Sequence, residues 1–222
     1  MNILWHGQTC FEIHTLERNN NKENKKIIID PYLNDIGLKP ISLKADIFIF
    51  NHDHSNPKIS HIVKENSFLV NGQGEYESQG VIVRGIDAMG KYFGDKEEKK
   101  ITIYYFETEG IKLCHLGSLT QKELTPEQIE AIDGVDILMI PVGGGYTLDA
   151  GQAQKIVNQI EPKIVIPMNY QLPRLKKEIK TELESEQAFL KAMGHEEVQS
   201  QPSLKVKKAN LPAQRKIIVL RN

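Results

Sequence analysis

The chain has 222 residues, 40% hydrophobic and 26% charged, and its 28 basic side chains almost cancel 29 acidic ones. That length can bury a full core and predicts one domain over residues 1–222, while the charge balance excludes a general pull toward nucleic acid or an anionic membrane. No apolar run approaches the roughly 18 residues of a membrane span, and two distant cysteines, Cys10 and Cys114, with an N-terminus lacking a leader pattern predict a reducing, cytoplasmic home.

Runs rich in β-branched and aromatic residues predict strands at Ile3 to Trp5, Cys10 to Ile13, Ile27 to Ile29, Ile47 to Phe50, Val81 to Ile86, Ile101 to Phe106, Ile137 to Ile140, Ile164 to Ile166 and Ile217 to Leu220. Between the second and third, the polar stretch Asn19 to Lys26 reads as a solvated hairpin tip. A short helix is predicted over Lys58 to Glu65. Another starts at Thr125-Pro126-Glu127-Gln128, where Thr125 can cap, Pro126 fits the first helical position and Gln128 can close a capping box, and runs to about Ala131. A third starts near Asp149, with Gln152 placed to reach back and Ala153, Ile156, Val157 and Ile160 on one apolar face. A fourth is predicted from Glu182 to Met193, ended by Gly194. Strands first, then strand-and-helix units, place the chain in a mixed α and β class with sheets faced by helices.

The segment Asp46 to Pro57, DIFIFNHDHSNP, runs an apolar strand into a loop carrying His52 and His54. Side chains two apart on extended backbone point the same way, so both imidazoles can face one point beyond the sheet edge. That is metal-ligand geometry, although two ordinary surface histidines would read the same way. Further motifs follow in order: Gly7-Gln8-Thr9 before a strand, Ile29-Asp30-Pro31, Gly74 to Glu77, His115-Leu116-Gly117-Ser118, Pro141-Val142-Gly143-Gly144 and Pro167-Met168-Asn169-Tyr170. Together they resemble the metallo-β-lactamase superfamily, and within it the compact bacterial zinc-dependent hydrolases related to ascorbate-phosphate lactonases. The resemblance implies an α+β fold, a four-layer αββα sandwich, with its site at one edge where the loops after Phe50, Ile140 and Ile166 converge. It also implies metal-dependent hydrolysis of a small phosphorylated or lactone-like substrate.

The departures from the family's pattern concern its metal ligands. The family motif H-x-H-x-D-H ends here in Asn56 and Pro57, its metal-bridging aspartate is Ser118, and its last histidine is Asn169. Where the family has a further histidine after a strand, Met89-Gly90-Lys91 stands. A catalytic zinc generally needs three protein ligands and an open position. His52 and His54 supply two, so at most one zinc per chain is expected, with His115 as a third ligand only if it turns into the site against strand alternation. Asp30 would orient a ligand imidazole from behind, or else bond backbone N–H groups at its strand end.

The glycine-rich turn Pro141 to Tyr146 ahead of the Asp149 cap could receive an anion, or could be a tight connection. Basic residues at Arg174, Lys176, Lys177 and Lys180 are interspersed with acids and read as a solvated face. His6, His14, His61 and His195 have no ligand spacing, and no nucleophile motif is present. Two functions follow: a hydrolase with a reduced one-metal site, or a non-catalytic binding or assembly protein on the same fold. The expected partners are a small-molecule anion and a second copy of the chain, with neither nucleic acid nor membrane.

Overall fold

The computed structural model describes residues 1–15, 24–32, 35–39, 41, 44–52, 63 and 66–222. His54, Asn56, Pro57 and His61, nearly all of the helix expected at Lys58 to Glu65, and most of the polar tip at 19–26 lie outside the described residues.

The first sheet contains β1 (Asn2–Gly7), β2 (Cys10–His14), β3 (Lys26–Ile29), β4 (Ile47–Phe50) and β5 (Phe68–Asn71), with β12 (Leu204–Lys205) added beside β1. The second contains β6 (Gly74–Ser78), β7 (Val81–Gly90), β8 (Lys99–Thr108), β9 (Ile111–His115), β10 (Ile137–Pro141), β11 (Ile164–Met168) and the edge pair of β13 (Lys216–Ile217). Within them β3, β4 and β5 run parallel, as do β9, β10, β11 and β13. One continuous hydrophobic core gathers residues from Met1 to Leu220, as expected for two sheets packed face to face. Ile28, Phe48 and Phe50 form a smaller cluster with Ala45, Val63 and Leu69.

The strands obey their patterns. β1 alternates, burying Ile3 and Trp5, whereas β10 and β11 are buried at every position, as parallel strands covered on both faces should be. The helix α1 (Pro126–Ala131) starts on Thr125 with the full capping box, and α2 (Ala150–Ile160) does the same with Asp149 and Gln152. Ala153, Ile156 and Val157 are the buried face of α2.

Three expectations are corrected. Strands β5 and β6 were not foreseen, and β9, on which His115 was read as a strand residue, was given no bounds; β6 and β9 are tied to their neighbours by tight turns at Gln79-Gly80 and Glu109-Gly110, in which both residues of each pair have positive φ. The predicted Glu182 to Met193 helix is shorter: after a single turn, α3 (Lys177–Lys180), helix α4 spans Glu186–Ala192. Its expected first turn is used elsewhere, because Glu184 donates its N–H to the Gly143 carbonyl at 2.7 Å and accepts from Gln171 N–H at 2.8 Å. The last predicted strand also shrinks to Lys216–Ile217.

Candidate functional site

The parallel strands of both sheets end at the same edge, and the chain leaves each strand by a residue that turns sharply into a cleft. Asp30 directly follows β3, His52 stands two residues beyond β4, Ser118 three beyond β9, and Asn169 directly follows β11. Asp30 and Asn169 adopt left-handed backbone, φ 47° and 53°, as does Gln8 in the β1–β2 turn, φ 50°. Asp and Asn tolerate that region better than most residues, and its use at three cleft positions marks a place where tertiary contacts overrule local preference. The cleft holds about 460 Å³, and among the described residues its lining includes Gln8, Asp30, His52, Tyr92, Ser118, Tyr146 and Asn169.

Asp30 is 4% exposed, and both of its carboxylate oxygens are engaged. Oδ1 accepts the Asn51 N–H at 2.8 Å, and Oδ2 accepts the Tyr92 hydroxyl at 2.9 Å. Burial works to raise its carboxyl, but the His52 imidazole, the His115 ring and the Asn51 N–H outweigh it and hold Asp30 below the usual carboxylate range. His52 Nδ1 lies 3.7 Å from Asp30 Oδ1, beyond hydrogen-bond reach, and this buried nitrogen has no hydrogen-bond partner among the described residues. The ring of Tyr92 stacks on His52, centroids 3.5 Å apart at 23°. Burial first, and then the charge and hydrogen bond of Asp30, push the Tyr92 phenol well above its ordinary value, so it stays protonated and donates.

Ser118 and Asn169, the two residues that the sequence resemblance sets against a bridging aspartate and a last histidine, bond to each other. Asn169 Nδ2 donates to Ser118 Oγ at 3.2 Å, and the Tyr146 hydroxyl lies 3.2 Å from Asn169 Oδ1 and 3.1 Å from Gln8 Oε1. Gln8 reaches the Tyr170 carbonyl at 3.5 Å, and Asn169 N–H donates to the Gln8 carbonyl at 3.2 Å. Every member of this chain is neutral, and Ser118 and Asn169 are 1% exposed.

His115 does not turn into the cleft. It is fully buried with Phe11 edge-on to its ring; Gly117 N–H donates to Nδ1 at 3.3 Å, which leaves Nε2–H to donate to the Thr9 carbonyl at 2.9 Å. Both ring nitrogens are used by the protein, as strand packing suggested. Gly90, in the region that the resemblance sets against a further histidine, is closed by packing, since a Cβ there would stand 2.6 Å from the Ser118 carbonyl oxygen.

Two metal ions do not fit the described part of this site. Among the described residues no group of three His, Cys, Asp or Glu side chains could hold a metal. Asp30 is occupied by donors, and Ser118 and Asn169 satisfy one another. His54 belongs to the same predicted ligand pair as His52 and lies outside the described residues.

The glycine-rich turn after β10 is a tight connection. A Cβ on Gly143 would meet the Asn169 carbonyl at 2.3 Å, and one on Gly145 the Glu182 carbonyl at 2.1 Å. Gly144 N–H is spent on Leu148. Sequence reasoning missed Tyr92, Phe93, Tyr146 and the side chain of Gln8 as cleft residues. Only Gln8 and Tyr146 carried a signal, each sitting in or beside a glycine turn that follows a strand. It also missed the face of β1 and β2 where Glu12 joins His6 at 3.2 Å, His14 at 2.6 Å and Lys26 at 2.9 Å.

The sequence model of the β-lactamase superfamily domain matches residues 2–169. A Thermotoga maritima protein, a candidate zinc-dependent hydrolase of the metallo-β-lactamase superfamily, is 31% identical, with a TM-score of 0.75 over 99% of this chain and 97% of its own. A metal-dependent hydrolase of Thermoplasma acidophilum is 29% identical over 77% of this chain and 83% of its own length, and one of Enterococcus faecalis is 25% identical over 77% and 86%. An isothiocyanate hydrolase from Delia radicum gut bacteria shares the fold at 9% identity and a TM-score of 0.58. With the two sheets, the edge cleft and a family match across three quarters of its length, the chain belongs to the metallo-β-lactamase superfamily.

Proposed function

We propose that this member of a family of metal-dependent hydrolases keeps the superfamily's cleft as a small-molecule binding site and has replaced the two-metal centre by neutral hydrogen-bonding side chains. The observation that carries the reading is the bond between Ser118 and Asn169, two residues that the sequence resemblance sets at ligand positions for metal. Two-metal hydrolysis needs ions that generate hydroxide and stabilise a leaving oxygen, and neutral amide and hydroxyl groups neither hold such ions firmly nor balance their charge. The test is elemental analysis of protein purified without chelator, with hydrolysis of a phosphodiester and a lactone measured in parallel. At most one zinc per chain, background turnover and a melting curve unmoved by EDTA are expected. Two tightly held metals per chain, with turnover that EDTA abolishes, would overturn the reading.

A second reading is a one-metal hydrolase acting on a small phosphorylated or lactone-like substrate. It is favoured by the buried Nδ1 of His52 beside Asp30, which has no partner among the described residues, together with the names of the relatives. Zinc would then be held by His52 and His54 with water completing the sphere, and its chemistry would be to lower the pKa of that water. His52→Ala should abolish stoichiometric zinc uptake if this reading holds. Changing Asn56→Asp, Pro57→His, Ser118→Asp and Asn169→His together should raise zinc uptake under either reading, because the four substitutions return charge and imidazoles to the cleft. A folded quadruple variant that binds no more zinc than the parent would remove those positions from the site.

A further inference from the structure

The chain has seven Phe, seven Tyr and one Trp, and five of these rings, Tyr32, Phe50, Tyr92, Phe93 and Tyr146, line the one cleft described above. Phe93 is 40% exposed, one of only two large hydrophobic side chains so exposed among the described residues. It is edge-on to Tyr146, centroids 6.0 Å apart at 63°, which leaves ring surface at the mouth in water. Covering such surface is favourable, and aromatic partners add a geometric preference for stacked or edge-on contact. The floor below is polar and neutral, made of Gln8, Ser118, Asn169 and the Tyr146 hydroxyl. The full charges in the lining are Asp30, whose oxygens are engaged, and at the outer side Glu178 and the pair of Lys176 and Asp35, 3.0 Å apart. Among the described residues Lys176 is the only lysine or arginine in the lining, and His52 stands beside Asp30, so an anion at the floor would meet the Asp30 carboxylate with only that imidazole to offset it.

We propose that the cleft binds an uncharged, flat aromatic or heteroaromatic molecule, covered by the rings at the mouth and read by the neutral amides and hydroxyls at the floor. The inference rests on the binding reading above and names the ligand class for the same cleft. A volume of about 460 Å³ lies within the range of small-molecule sites, and apolar walls with a few convergent polar groups are their usual composition. Beyond the bonds they make to one another, the amides of Gln8 and Asn169 each keep a second N–H and a second lone pair, which suits ring nitrogens and exocyclic oxygens.

The test titrates the full chain with three probes: indole, a neutral flat ring; phenyl phosphate, the same kind of ring carrying charge; and cyclohexanol, neutral and not aromatic. Indole should bind in the millimolar range or tighter, with the other two at least about tenfold weaker. Phe93→Ala should weaken indole by about threefold to tenfold, the worth of one aromatic contact, without lowering the melting temperature, because the side chain is already partly in water. Ile82→Ala, the other exposed hydrophobic position, should leave binding unchanged. Phenyl phosphate or cyclohexanol binding as well as indole would overturn the ligand class while leaving a binding cleft. Indole affinity unaltered in Phe93→Ala, or no binding by any probe, would also overturn it. Failure of the underlying reading is separate, because it appears as two metals per chain with chelator-sensitive turnover.

Discussion

Asp136, just before β10, and Asp30, just after β3, are both nearly buried, 2% and 4% exposed, yet they are satisfied by different chemistry. Asp136 accepts Lys163 Nζ at 2.8 Å and Lys208 Nζ at 2.7 Å, with the Lys112 N–H at 3.1 Å. Those bonds overcome its burial and lower its carboxyl. Asp30 has no lysine or arginine partner among the described residues; a phenol and a backbone amide serve instead. One end of the strands is thus held by ion pairs and the other, at the cleft, by neutral donors. At the cleft end neutral donors satisfy Asp30, while the buried Nδ1 of His52 beside it has no hydrogen-bond partner among the described residues.

The largest effect expected from that contrast is a pH dependence. Burial pushes the His115 imidazole down to about 4, against the opposing charge of Asp30 and the Thr9 carbonyl, while an unfolded chain takes up the proton near 6.5. Between those values the unfolded state binds more protons, so the stability is complete above about 6.5 and is lost as pH falls toward about 4, by about 3 kcal/mol. Asp30 and Asp136, both lowered from 3.8, lose their contributions below that value and so outside this window. Denaturant titrations from pH 7 to 4 should show the decline, and His115→Gln should flatten it. A parent curve that is level across that range would mean the cleft end is less dry than its geometry indicates.

At the ionic end, Asp136→Ala should cost about 2 kcal/mol: less than a fully buried pair, because Lys163 and Lys208 are 47% and 51% exposed and screened by water. Chemical denaturation measures it, and a loss under about 0.5 kcal/mol would show that the lysines contribute nothing beyond solvent. At the neutral end, Tyr92→Phe leaves Asp30 Oδ2 without its hydroxyl donor and should also cost up to about 2 kcal/mol, with no dependence on salt. Salt sensitivity of the Asp136→Ala difference but not of the Tyr92→Phe difference is the sharper form of the comparison. Smallest is Ser118→Ala, which removes one acceptor from Asn169 and should cost about 1 kcal/mol. Its cost should fall if Asn169 is first changed to Ser, and independent costs in the double variant would break the network as drawn.

Much of the scaffold was written locally. The capping residues Thr125 with Gln128 and Asp149 with Gln152 act over three residues, so no distant contact is needed to read them. Fully apolar runs such as Ile137 to Ile140 state their own burial, and the ordered motifs pointed to the strand ends at Asp30, Ser118 and Asn169 that line the cleft. The helix start at Glu186 was not legible, because its would-be first turn is claimed by Gly143 and Gln171.

The sequence by itself determined the superfamily and the layered class, because these depend on residue identity, local spacing and order along the chain. Only the tertiary structure decided what the changed residues do. Tyr92 reaches Asp30 across 62 positions, Asn169 reaches Ser118 across 51, and Tyr146 reaches Gln8 across 138. A hydrogen bond needs two groups within about 3 Å, and no pattern within a single segment reports a distance between strands that the fold alone brings together.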